Sequence, residues 1–157
     1  MRILVRSRVS QTIVDAPKSV IAFEPAGIYR FSMLGKVIVR SAKDVAKERV
    51  GAGSGTLRQV LISGDEAPNF ALRRFIMEPG GGMPEHTNTV EHEQYILKGR
   101  ARVGIGEEIF EVAAGDAVYI PEGLPHWYQA DDAEGFEFLC IVPNKEDAIK
   151  ICGPAEA

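Results

Sequence analysis

A succession of short, strand-like segments separated by turns constrains the fold of this chain more than any other feature. The predicted strands are Leu57–Ile62, Phe70–Glu78, His92–Lys98, Arg100–Ile105, Glu108–Val112, Ala117–Ile120, His126–Gln129 and Phe136–Val142. Predicted turns lie between them, at 65–69, 79–84, 99, 106–107, 114–116, 121–125 and 131–135. No stretch of useful length between the strands has a helical period, so the sequence predicts an all-β, antiparallel sandwich or barrel rather than alternating βαβ units.

The region before these strands is harder to interpret. Residues 1–35 are predicted to form a strand-like N-terminal arm, and residues 36–157 the folded domain. Three interpretations of the arm stay open: extra edge strands, an arm that pairs with a neighbouring subunit, or a gene that starts at Met33. Ser41 is a candidate cap for a helical turn through Lys43–Arg49, which the glycine-rich loop 51–55 ends. No Gly-Lys-Ser/Thr follows that loop, so it is not a phosphate loop.

Composition excludes several classes of partner. The net charge is −4 and the 18 lysines and arginines are scattered, which argues against a nucleic-acid surface. Cys140 and Cys152 are too few and too oddly placed for a disulfide framework or a zinc ribbon, and they fit the reducing cytosol. No apolar run approaches the roughly 20 residues of a membrane span, and arginines interrupt the N-terminal apolar runs. We therefore expect a cytoplasmic protein whose partner is a small molecule, with no nucleic acid and no membrane.

The chain uses histidine only three times, and the pattern favours one common site. His86, Asn88 and His92 have the same parity, so on strands their side chains would share the interior face. His126 opens a separate strand that could approach them across a barrel. Neutral imidazole is the commonest protein ligand for first-row metals, so the three side chains are candidate metal ligands. The alternative is that a backbone carbonyl or solvent satisfies each histidine separately.

The stretch around the first two histidines resembles the first motif of the cupin superfamily. Gly80, His86, Asn88, His92 and Gly99 reproduce its spacing, with five residues after Gly80, three between Asn88 and His92, and six before Gly99. The resemblance implies a cupin domain over residues 36–157, with a double-stranded β-helix jelly-roll fold and motifs at 80–99 and 115–130.

The second motif of that family is matched by Gly115, Pro121 and His126, separated by five and four residues. Its final asparagine is Ala130 here, which is a structural turn position. The resemblance covers roughly residues 57–143 and is closest to small single-domain cupins. Small cupins are typically homodimers, so the resemblance also implies a homodimer.

Within the family, this chain resembles the all-histidine, often manganese-containing variety, in which His92 takes the place of a glutamate. Glu93 is the competing carboxylate, but its spacing to Gly99 is one residue short and its parity is opposite. The family's second histidine is Asn88 here, which leaves three roles open for Asn88: a weak ligand, a water-orienting group, or a hydrogen-bond partner of substrate. The predicted cofactor is a divalent transition metal, manganese first, with iron, zinc, nickel or copper as alternatives.

Three neutral imidazoles leave the charge of a divalent ion uncompensated, so such a site favours an anionic ligand. The leading hypothesis is a metal-dependent, dioxygenase-like enzyme that acts on a small oxygenated organic anion. The alternative is a non-enzymatic cupin that binds or senses a small molecule, with a structural or ligand-holding metal. A third hypothesis is a remnant in which Asn88 has abolished tight metal binding.

Other side chains near the motifs are weaker candidates. Gln94 and Tyr128 share parity with His92 and His126, so they are possible substrate contacts, with ordinary packing as the alternative. Arg73 and Arg74 are adjacent, so only one can face inward as a carboxylate clamp. Three glutamates near the motif are possible general bases, and nothing in the sequence selects among them. They are Glu85, Glu91 and Glu93.

Overall fold

A computed structural model describes residues 37–153 of the chain. These residues fall into two units, 37–44 and 45–153. The predicted arm at 1–35 lies outside the described residues, so its structure and its role in a homodimer stay predictions. No helix within residues 37–153 is long and apolar enough to cross a membrane.

Strands make up almost all of the regular structure in unit 45–153. They are β1 (Glu48–Arg49), β2 (Ser54–Ile62), β3 (Phe70–Asn88), β4 (His92–Ile105), β5 (Glu108–Ala113), β6 (Ala117–Ile120), β7 (His126–Ala130), β8 (Phe136–Pro143) and β9 (Ile149–Ile151). Every pairing between them is antiparallel. The prediction of an all-β, antiparallel fold is confirmed.

Two long strands close the sheet into a barrel, because each pairs with different neighbours along its length. The first part of β3 pairs with β2 and β8, and its last part pairs with β7 and β9. The first part of β4 pairs with β6 and β8, and its second part with β5 and β7. Since both β7 and β8 join β3 to β4, the strands form a closed ring.

The predicted turns at 79–84 and at 99 are wrong, because the strands run through them. Gly99 has φ of 71°, and a Cβ there would collide with the carbonyl oxygen of Gly135. A Cβ at Gly82 would collide with the carbonyl oxygen of Tyr128. Glycine at these positions permits a bend and a close approach of backbones within a continuous strand.

The predicted helical turn through Lys43–Arg49 is also too long. The 3₁₀ turn covers only Ala42–Asp44, and Ser41 accepts a hydrogen bond at its Oγ from the backbone N–H of Lys43, at 3.3 Å. Residues 48–49 form strand β1 instead, where the Arg58 guanidinium on β2 pairs with the Glu48 carboxylate at 2.8 Å. Pairing with a neighbouring strand therefore overrides the local helical preference.

The interior of the barrel has an apolar end, formed by inward-facing residues of β3, β4 and β8. The ring of Phe138 lies 5.2 Å from the rings of both Phe75 and Phe136. Met77 and Ile96 are buried in the same cluster. The opposite end of the interior is lined by buried polar residues of β3, β4 and β7.

Candidate metal centre

Strands β3, β4 and β7 bring the three histidines together inside the barrel. His86 and His126 are paired residues of β3 and β7, and their ring centroids are 4.2 Å apart. The His92 ring, at the start of β4, lies 5.4 Å from that of His126 and nearly perpendicular to it. All three side chains are buried. The histidines of the two motifs therefore lie close together, as expected, and their role as metal ligands stays a prediction.

Backbone carbonyls fix the tautomer of two of these imidazoles. The Nδ1 atom of His86 lies 2.8 Å from the carbonyl oxygen of Pro84, and Nδ1 of His126 lies 2.8 Å from that of Leu124. A carbonyl oxygen only accepts, so Nδ1 carries the proton and Nε2 keeps a free lone pair. Nε2 of His126 and Nε2 of His92 are buried and have no hydrogen-bond partner.

Burial also keeps two of the imidazoles, those of His92 and His126, uncharged. It lowers the pKa of His92 from 6.5 to about 4, with the nearby His126 as a further cause. It lowers the pKa of His126 to about 4 as well, against the opposing effect of the hydrogen bond to Leu124. Both side chains are therefore neutral at pH 7 and are in the form that binds a metal ion.

Asn88 lies at the end of β3 with its side chain buried beside the histidines. Its Nδ2 atom donates a hydrogen bond to Oδ1 of Asp147, at 2.7 Å. Its Oδ1 atom is buried and has no hydrogen-bond partner. The amide thus resembles the imidazoles in one respect: a lone-pair atom is left without a donor.

Asp147 was missed by the sequence reasoning. It lies between β8 and β9, 59 residues after Asn88, and no motif or strand pattern marks it. Its second carboxylate oxygen pairs with the Arg73 guanidinium at 3.0 Å. Of the two candidate arginines, Arg73 lines the central cavity, whereas Arg74 pairs with Glu137.

A cavity of about 60 Å³ adjoins these polar groups. Its other walls are largely apolar, and they include Phe75, Met77, Met83 and Phe138. A water molecule takes about 30 Å³ in the liquid, so the space suits a very small ligand.

Gln94 and Tyr128 also line the cavity, as their parity predicted. Nε2 of Gln94 donates to the Tyr128 hydroxyl oxygen at 2.6 Å, which leaves the hydroxyl proton available. Burial raises the pKa of Tyr128, so the phenol stays protonated and can donate. Whether either side chain contacts a substrate stays a prediction.

The three candidate glutamates lie away from the cavity lining. Glu85 is exposed, and the Glu91 carboxylate accepts a hydrogen bond from the Tyr119 hydroxyl at 3.0 Å on the surface. Glu93 is paired in the sheet with Tyr119 and Ile141, whose side chains are both exposed. Its side chain therefore points out of the barrel, as its parity predicted.

No three histidine, cysteine, aspartate or glutamate side chains within residues 37–153 are arranged to hold a metal ion as they stand. The argument that a metal ion suits this site depends instead on the unpartnered nitrogen and oxygen atoms of His92, His126 and Asn88. Nitrogen and oxygen lone pairs buried without a partner cost free energy unless something occupies the space beside them. An ion bound between these side chains would satisfy them.

Comparison with known proteins gives the class to which the fold and the site belong. The cupin domain family matches residues 73–142. A cupin-2 domain from Rhodospirillum rubrum, Rru_A2000, is 32% identical, with a TM-score of 0.62 over 71% of this chain and 74% of that one. The chain belongs to the cupin superfamily.

Two further similarities concern named enzymes. The polyketide cyclase RemF from Streptomyces resistomycificus has a TM-score of 0.69 and 27% identity over 75% of this chain and 87% of that one. Acireductone dioxygenase 1 from Pectobacterium atrosepticum is 30% identical over 83 residues, which are 50% of this chain. The match spans only 47% of that dioxygenase, so activity does not carry over from it directly.

Proposed function

We propose that this cupin is a metal-dependent, dioxygenase-like enzyme that acts on a small oxygenated organic anion. The observation that carries the proposal is the set of buried polar atoms without hydrogen-bond partners at one end of the barrel: Nε2 of His92, Nε2 of His126 and Oδ1 of Asn88. The similarity to a dioxygenase over half of the chain supports the type of reaction.

In this proposal His86, His92 and His126 hold the metal, with Asn88 beside them. Imidazole nitrogens with one carbonyl oxygen suit a divalent ion such as manganese or iron better than a soft ion. A bound redox-active ion supplies a Lewis acid and a site at which dioxygen and an organic ligand can meet. The protein contributes neutral ligands, because burial keeps the pKa of His92 and of His126 near 4.

The charges around the cavity favour an anion. The ligand set contains no carboxylate, and the carboxylate of Asp147 is already paired with Arg73. The positive charge of a divalent ion would therefore be left for the substrate to neutralise. The Tyr128 hydroxyl, held by Gln94, can donate its proton to a substrate oxygen, and the apolar walls exclude water.

The decisive measurement is elemental analysis of dialysed, untagged protein by plasma mass spectrometry. We compare the wild type with His86→Ala and His126→Ala, and use Glu93→Ala as the control because Glu93 adjoins His92 but points outward. We expect about one manganese or iron per chain in the wild type and control, and none in the histidine variants. A metal-free wild type, even after reconstitution, contradicts the proposal.

Reaction type is tested next, by oxygen uptake with a panel of small diketones and hydroxyketones, because the cavity of about 60 Å³ suits only a very small ligand. Uptake by the loaded wild type, absent in His126→Ala, supports the dioxygenase proposal. Substrate binding without turnover supports the alternative of a binding or sensing cupin.

A redox-neutral reaction is the second candidate, because the likeness to the polyketide cyclase extends over 87% of that chain. Bidentate polarisation of a polycarbonyl substrate would serve a cyclisation as well as an oxidation. Zinc in the purified protein, with product formed from a diketone in the absence of oxygen, would favour this candidate over the first.

A further inference from the structure

We propose that Asp147 is a positioning residue for the metal site: it orients the Asn88 amide so that Oδ1, and not Nδ2, is presented to the ion as the fourth ligand. This inference rests on the proposed metal function of the same site. It assigns a role to a residue outside both cupin motifs.

The chemistry of the two side chains fixes the orientation of the amide. An ionised carboxylate only accepts hydrogen bonds, so the edge of Asn88 that faces Asp147 must be the NH₂ group. The distance of 2.7 Å from Nδ2 to Oδ1 of Asp147 fits a charge-assisted hydrogen bond. The opposite edge, Oδ1, then faces away from Asp147 and is left without a partner.

Asp147 is itself held on two sides. Its side chain is 9% exposed, and the Arg73 guanidinium compensates its charge at 3.0 Å. Its backbone neighbours are tied to the residue that follows Asn88: the Thr89 hydroxyl donates to the carbonyl of Glu146 at 2.9 Å and accepts from the N–H of Ala148 at 2.9 Å. A carboxylate fixed in this way has little freedom to follow the amide if the amide rotates.

Asn88 therefore differs from an unsupported asparagine. A free amide presents nitrogen or oxygen with similar ease, and nitrogen with two hydrogens cannot bind a cation. With Asp147 in place, the oxygen of the Asn88 amide is oriented before an ion binds. Binding therefore loses no free energy to rotation of this amide.

The test is Mn²⁺ affinity, measured from the electron paramagnetic resonance signal of free Mn²⁺ during titration. We expect Asp147→Ala to weaken binding by about 10–100-fold, the usual effect of losing a group that orients a ligand. Glu146→Ala is the matched control, because it removes the same charge from an exposed side chain one residue away. It should leave the affinity unchanged.

A double-mutant cycle separates positioning from a general effect of charge or stability. In an Asn88→Ala background, Asp147→Ala should change the Mn²⁺ affinity by no more than about twofold, because its effect passes through the amide. If the two substitutions instead act additively, Asp147 is not a positioning residue. Equal affinity of Asp147→Ala and wild type overturns the inference alone, whereas a wild type that binds no Mn²⁺ overturns the proposed function too.

Should Asp147→Ala fail to fold, a crystal structure of the Mn²⁺-loaded wild type decides. Asn88 Oδ1 on the ion with Nδ2 still on Asp147 supports the inference. An amide turned away from the ion contradicts it.

Discussion

The two ends of the barrel interior share strands β3 and β4 but differ in whether their buried groups have partners. At the apolar end, aromatic rings such as those of Phe136 and Phe138 contact one another at 5.2 Å and fill the space. At the polar end, His92, His126 and Asn88 are equally buried, yet each has an atom without a partner. The first end stabilises the fold, and the second is costly unless a ligand binds, which is the arrangement expected of a functional site.

The largest effect of any single residue is expected at the apolar end. Phe136→Ala removes a ring that is 1% exposed, so the free energy of unfolding should fall by about 3–5 kcal/mol. Urea unfolding measures the loss, and metal content per folded chain should stay at the wild-type value. A loss below about 1 kcal/mol would show that the two ends do not differ as described.

Acid should act on the polar end. His92 and His126 have pKa values of about 4 in the folded chain and 6.5 when unfolded, so the unfolded chain binds more protons between these values. The contribution of each neutral imidazole is complete above pH 6.5 and is lost as the pH falls towards 4, at a cost of roughly 3 kcal/mol each. Urea unfolding of the metal-free protein from pH 7.5 to 4 measures this loss. A free energy of unfolding that does not change over this pH range would contradict the prediction.

Tyr128→Phe tests the boundary between the ends, because the Tyr128 ring stacks on Phe138 while its hydroxyl meets Gln94. Loss of the hydroxyl leaves the buried Gln94 amide without its acceptor and should lower stability by about 1–2 kcal/mol. Thermal unfolding measures the change. Metal stoichiometry should not alter, and a loss of metal would place Tyr128 among the ligands instead.

The smallest effect has the opposite sign. His92→Leu replaces a buried nitrogen without a partner by an apolar group, so the metal-free protein should become more stable by about 1 kcal/mol at pH 7. The acid-induced loss should shrink as well, since one titrating group is gone. Destabilisation of the metal-free variant would show instead that His92 serves the fold.

The alternating pattern of the strands explains how much of this structure could be predicted. The alternation of side chains along a strand correctly predicted that Gln94 faces the barrel interior and Glu93 the exterior. Strand β6 also has the predicted bounds. The turn predicted at 79–84 failed because glycine signals either a turn or a close approach of two backbones, and only the tertiary structure distinguishes them.

Asp147 could not be predicted for a different reason. Motif spacing predicted that the histidines lie together because they are on strands whose pairing follows from the fold. Asp147 lies on an irregular segment, and its contact with Asn88 depends on the register of β9 against β3, where Ile149 is the partner of Asn88. The metal-ligand assignment of the histidines and Asn88 stays a prediction until metal is measured.

The pairing of β9 with β3 also divides the polar site between an early and a late part of the chain. The three histidines lie on β3, β4 and β7, whereas Asp147 and β9 follow them, and β9 pairs with residues 86–88. A variant truncated before Asp147 would therefore keep all three imidazoles and lose the hydrogen-bond partner of the Asn88 amide.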